Sequence, residues 1–290
     1  MISCRLPYMV AAILTTTTLC PSAALAQKPW WLDSLAYSSA QLSPIRVGTD
    51  GFPYVRVRID TTHLWLLFDT GNMVGLTIAS QHYDRLELPV TGTVRRRDSS
   101  GEFLGEFRIG RAERVEALGR AATGVAIREF AHPRLVGILG PDDLPESRFT
   151  LDYQSQLIAV SNSVLNLHEA AGSRPLIRSA RYPRLIVVEG RFQGRPILIE
   201  LDTGKSRTVV DPVWARSVGL TVGQTDTVAI GEVELGDAVF HVRDAKPVGL
   251  GGIDPDLPAP LVMSLGSDSL SRFILTVDYA QGVALLWRSD

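Results

Sequence analysis

Cysteine is nearly absent: Cys4 and Cys20 are the only two in 290 residues, and both lie within the first 26. Residues 1–26 read as an export signal, with Arg5 as a weak basic start, a short apolar stretch at 9–14, and Ala24-Leu25-Ala26 as an A-x-A cleavage site. If that segment is removed, both thiols leave with it, which excludes a disulfide framework and a cysteine nucleophile. Lipid attachment at Cys20 is the alternative use of the same segment, although Leu19 stands where a small residue is usual. Long hydrophobic runs are lacking after it, so no stable membrane insertion is expected and the chain is read as periplasmic or secreted. Charge of one sign is lacking too: 29 Lys plus Arg stand against 31 Asp plus Glu. That balance does not favour nucleic acid or an anionic membrane as the main partner.

Further absences narrow the chemistry. The five histidines show no HExxH or paired spacing, so no metal is expected. No G-x-S-x-G occurs, which argues against a hydrolase-elbow serine. Gly204-Lys205-Ser206 looks like the end of a phosphate-binding loop, but Ile199 stands where its first glycine must be. Residues 249–252 are glycine-rich without a strand-turn-helix context, so no dinucleotide site and no other cofactor is expected. Arg95-Arg96-Arg97, followed by Glu102, Glu106 and Glu113, reads as a solvated hairpin surface.

What is present is a repeated motif. Residues 64–78 read LWLLFDTGNMVGLTI and residues 197–210 read ILIELDTGKSRTVV, so Asp69-Thr70-Gly71 and Asp202-Thr203-Gly204 each end an apolar, strand-like run. A shift of 133 positions superposes the two motifs. A shift of 126 places Gly140 on Gly266, Asp142 on Asp268, Leu144 on Leu270, Thr150 on Thr276, Asp152 on Asp278 and Tyr153 on Tyr279. The chain is therefore a duplicated unit. The reading is 27–52 as an extension packed on the body, 53–161 as a first lobe, 162–181 as a linker and 182–290 as a second lobe. Period-2 alternation at 53–59 and a hairpin formed by 91–97 and 103–109 make both lobes β-rich. Short strands are expected around 115–118 and 123–127, and short helices at 79–88 and 212–219.

An aspartate at the end of a buried strand is costly unless its charge is paired, hydrogen-bonded or used. Two equivalent strand ends related by a pseudo-twofold axis can bring two carboxylates face to face, where they must share one proton. One is then a base for water and the other an acid for a carbonyl oxygen.

At these residues the chain resembles the aspartic peptidases of the pepsin and retropepsin clan, in the two apolar-apolar-Asp-Thr-Gly motifs and in Ile138-Leu139-Gly140 and Leu265-Gly266. The resemblance covers most of 53–288. It implies an all-β fold of two barrel-like lobes with a cleft between them, an endopeptidase acting on an extended peptide or protein, and a monomer sufficient for the active site. Asp69 and Asp202 would be the catalytic pair, with Thr70 and Thr203 bonding across the loops and Gly71 and Gly204 admitting backbone close to the carboxylates. Alanine at those four supporting positions is expected to be tolerated better than loss of an aspartate. The hairpin tip Ser99, Ser100, Gly101, Glu102 and Phe103 would be a flap. Glu200 shares a strand face with Asp202, and Leu67 is its counterpart. Either they line a substrate pocket, Glu200 then favouring a basic side chain, or Glu200 is an exposed strand residue. Asn72 and Lys205 stand where the family has a small residue. Lys205 either lowers the pKa of the pair or points to solvent. The alternative function is a non-catalytic peptide-binding protein of the same fold.

Overall fold

The computed structural model describes residues 28–97, 103–144, 147–163, 165–167, 170, 172–221, 223, 227–250 and 253–288. The proposed export signal lies outside them. In Pro53–Ile59, Val55, Val57 and Ile59 are buried while Arg56 and Arg58 are not, the alternation of a strand with one face on a core. That strand pairs antiparallel with Thr62–Phe68, which pairs parallel with Gly137–Leu139. The ladder continues through Thr77–Ala79, Arg120–Phe130 and Phe103–Ala117 and returns to Pro53–Ile59 at Val57 and Ala117. Six strands thus close a barrel with no open edge. Val90–Arg97 pairs with the outer part of Phe103–Ala117 as the expected hairpin.

The second lobe repeats the plan without closing. Its sheet runs Ala238–Val242, Gly231–Leu235, Val187–Phe192, Arg195–Leu201, Leu261–Leu265, Val209–Val210 and Lys246–Pro247. It is a half-barrel, and with the first barrel it gives a mostly β, two-lobed, pepsin-like fold.

A six-stranded antiparallel sheet joins the lobes: Arg174–Pro175, Val283–Arg288, Phe273–Asp278, Arg148–Asp152, Leu157–Ser161 and Leu42–Val47. At its centre Thr150 pairs with Thr276, the residue that the 126-position shift places on it, and their buried hydroxyls lie 2.8 Å apart. The pseudo-twofold axis passes between them. Every residue of Phe273–Asp278 is buried, because both faces of this sheet are covered. One face joins a core that runs through both lobes and includes Phe68, Phe149, Leu201 and Leu275. The other is covered by Trp31, Leu32, Leu35 and Tyr37 around the short helix Trp30–Ser34.

This cover explains a fully buried cation. Arg148 donates to the Leu35 carbonyl at 2.6 Å and to the Tyr37 hydroxyl at 3.3 Å, and its guanidinium stacks over the Tyr37 ring. Trp31 donates its indole N–H to Asp152 at 2.9 Å. Residues 28–47 are thus built into the fold.

Three readings from the sequence are corrected. Ile45 pairs with Val55, and Leu176 bridges to Val188, the residue that the 133-position shift places on Val55. Boundaries at 53 and 182 therefore cut away the first strand of each unit, because strands joined by such short turn-rich segments read as an extension and a linker. The strands expected at 103–109 and 115–118 are one 15-residue strand, Phe103–Ala117, turned back by Leu118 and Gly119 at φ 54° and 73°. The single helix expected at 79–88 is one turn, Ser80–Tyr83, followed by the 3₁₀ turn Asp84–Leu86, which ends at Glu87 in the left-handed region.

Candidate active site

Each DTG loop begins where a buried strand loses its partner. Asp69 N–H donates to the Leu139 carbonyl and Asp202 N–H to the Leu265 carbonyl, both at 3.0 Å, the last rungs of the two parallel pairings. Beyond those rungs the chain must turn. Gly71 N–H donates to Asp69 Oδ1 and Gly204 N–H to Asp202 Oδ1, each at 2.8 Å, which orients the carboxylates identically in their own loops.

The threonines then tie one loop to the other. Thr70 Oγ1 donates to the Leu201 carbonyl at 2.8 Å and accepts from Thr203 N–H at 2.9 Å. Thr203 Oγ1 donates to the Phe68 carbonyl at 2.6 Å and accepts from Thr70 N–H at 3.1 Å. Both threonines are fully buried, so four polar groups that would each cost about 1–3 kcal/mol unpaired are satisfied across the axis.

This lock sets the carboxyl groups of Asp69 and Asp202 facing each other across the axis, each packed against the glycine of the opposite loop. Burial, and next the facing charge of Asp202, hold the Asp69 carboxyl well above the usual carboxylate range, against the Gly71 N–H and the Lys205 cation. A Cβ placed on Gly71 would lie 2.5 Å from Asp202 Oδ2, and one on Gly204 would overlap the Asp69 carboxylate. The space each glycine leaves is filled by the opposite aspartate, so alanine at either position forces that carboxyl to shift.

Lys205 does not point to solvent. Its ammonium contacts Asp202 Oδ2 and lies 3.1 Å from Glu200 Oε2, with the lysine side chain 28% exposed. Burial alone would lower its pKa, but the charges of Glu200 and Asp202 outweigh that and raise it, so it is a cation. Glu200 is 3% exposed, which corrects both readings of it: the side chain is neither on the surface nor open to a ligand. Burial, then the Asp202 charge, raises its pKa against the lysine. Leu67 is buried as well, packed with Ala79, Phe130 and Leu135, so neither pocket candidate lines an open groove. Period-2 alternation gave the shared face of Glu200 and Asp202 but could not show what covers it.

Two supporting residues went unassigned in the sequence. Ser267 donates its hydroxyl to the Thr203 carbonyl and its N–H to the Lys205 carbonyl, and Tyr153 of the first lobe meets the Ser267 hydroxyl at 3.0 Å. The signal was the 126-position shift, which puts Pro141 opposite Ser267 and so hid the polar role. Of the flap candidates, Ser99, Ser100, Gly101 and Glu102 lie outside the described residues, and Phe103 is exposed at the turn end of the hairpin, paired with Arg97. No metal-ligating cluster occurs among the described residues.

The fold is similar to that of the aspartic proteinase from Irpex lacteus, with a TM-score of 0.57 over 86% of this chain and 97% of that one, at 12% identity. No protein-family model matches the sequence. No curated protein matches it either.

Proposed function

We propose that the chain is an exported aspartic-type endopeptidase that hydrolyses peptide bonds with a water molecule activated between Asp69 and Asp202. One observation carries the reading: two carboxyls from equivalent strand ends face each other at a pseudo-twofold axis under crossed threonine bonds. Two carboxyls in contact keep one proton between them at neutral or mildly acid pH, the known behaviour of aspartic-peptidase pairs. The ionised member takes a proton from water as the new O–C bond forms, and the protonated member gives its proton to the carbonyl oxygen. The tetrahedral diol then collapses. One hydroxyl proton returns to the second carboxylate, the C–N bond breaks, and the leaving nitrogen takes the proton held by the first. No cofactor or covalent enzyme intermediate enters.

The substrate in this reading is an extended peptide or protein segment, held by main-chain bonds to the hairpin of Val90–Arg97 and Phe103–Ala117 and to cleft strands. One chain supplies both aspartates, so a monomer suffices. Export to the periplasm or medium rests on the charge, apolar stretch and A-x-A site in residues 1–26. The second reading, a peptide-binding protein without turnover, is favoured by the Lys205 ammonium on Asp202. Digestion of an unstructured protein from pH 3 to 8 separates them. Cleavage by wild type that falls about 10²–10⁴-fold in both Asp69→Asn and Asp202→Asn supports the peptidase. Binding by all three proteins without cleavage supports the carrier.

A further inference from the structure

The backbone of the paired loops is twofold symmetric, and their charge is not. Three positions after Asp202 comes Lys205; three after Asp69 comes Asn72, whose amide donates within its own loop to the Gly75 carbonyl at 2.8 Å. Two positions before Asp202 comes Glu200; two before Asp69 comes Leu67. The second side therefore holds a carboxylate-ammonium-carboxylate chain of Glu200, Lys205 and Asp202, and the first side holds no such chain among the described residues. Among the described residues, the ionisable groups acting on this cluster are its own three members, Asp69 from the facing loop, and Tyr153 from the joining sheet.

We propose that Lys205, anchored by the buried Glu200, designates Asp202 as the ionised member of the pair and Asp69 as its proton-bearing member, and so sets the pH window of the site. Resting on the peptidase reading, this makes Asp202 the base toward water and Asp69 the acid toward the carbonyl oxygen. A cation in contact with a carboxyl favours its ionised form and lowers its pKa by about 1–3. The contact is with Asp202 alone, so the twofold equivalence of the two aspartates is broken by one side chain. Glu200 is a positioning residue: it fixes the ammonium and offsets part of its charge. Without that anion the lysine would bear on the pair more strongly. Without the lysine, a buried acid would face the pair and raise both of its ionisations.

The two removals therefore push in opposite directions, which loss of packing alone would not do. In the pH dependence of peptide cleavage, Lys205→Met is expected to move both limbs to higher pH by about one pH unit, and Glu200→Gln to move both to lower pH. Lys205→Arg keeps the charge and should restore the wild-type limbs. Limbs that stay in place, or that shift the same way in both variants, overturn the proposal. A second readout keeps the proposal separate from the peptidase reading: carboxyl ¹³C titration of Asp69 and Asp202 in the same proteins. In wild type Asp202 should ionise at the lower pH, and the order should weaken in Lys205→Met. If wild type cleaves nothing, the peptidase reading fails while this titration still decides the charge assignment. Asp69 ionising first would overturn it.

Discussion

The loop after Phe68 and the loop after Leu201 make the same backbone bonds and carry different side chains around them. Each aspartate accepts from the glycine two residues on, each threonine bonds the opposite strand end, and each strand ends on a parallel partner. Around that shared frame, Leu67, Asn72 and Pro141 on one side face Glu200, Lys205 and Ser267 on the other. The joining tyrosines differ as well: Tyr153 bonds Ser267, while the buried Tyr279 hydroxyl has no hydrogen-bond partner among the described residues. Symmetry is kept where geometry must place two carboxyls in contact. It is relaxed where charge can tell them apart.

The largest break in that comparison comes from the glycines. Alanine at Gly204 or Gly71 drives a methyl group into the opposing carboxylate, so both variants should lose about 10²-fold or more in kcat/KM, since displacements near 1 Å at reacting groups cost that much. Equal losses would show the frame to be symmetric. Activity near wild type in either would show that the carboxyls are not held in contact.

A second comparison sets the cleft against the opposite face of the joining sheet. Trp31→Ala removes a fully buried indole from that face and its bond to Asp152, and should cost about 3–5 kcal/mol in urea unfolding. A loss below about 1 kcal/mol would show residues 28–47 to be a detachable extension.

The smallest effect concerns Asp143, whose counterpart at the 126-position shift is the uncharged Ser269. Burial raises the Asp143 pKa to about 6, against the N–H groups of Gly140 and Leu76. A carboxyl whose folded pKa is raised contributes stability below its unfolded pKa and loses it as pH rises through the folded one. Relative to Asp143→Asn, wild type should therefore lose melting temperature between pH 4 and pH 7. Parallel curves for the two proteins would contradict this.

The duplication, the β-rich lobes and the two aspartates were legible because each leaves a linear trace: a fixed shift, an alternating run, a strand ending in Asp-Thr-Gly. The first strand of each unit was not, since 42–47 and 174–175 are short, polar in part, and each pairs along one edge with a strand more than a hundred positions away. Nor was the setting of Glu200 and Lys205. Alternation gives the face a residue occupies, but whether that face meets water or a buried cation depends on the tertiary packing around the loop. Tyr153 and Ser267 act through a contact 114 positions long that neither neighbourhood announces.

The most direct test is neutron diffraction from deuterated wild-type crystals at about pH 5. The account predicts Asp69 and Asp202 in contact with a single deuteron between them, carried on the Asp69 side, and a fully deuterated ammonium at Lys205. Two bare carboxylates, or two separated carboxyls each with its own deuteron, would contradict it.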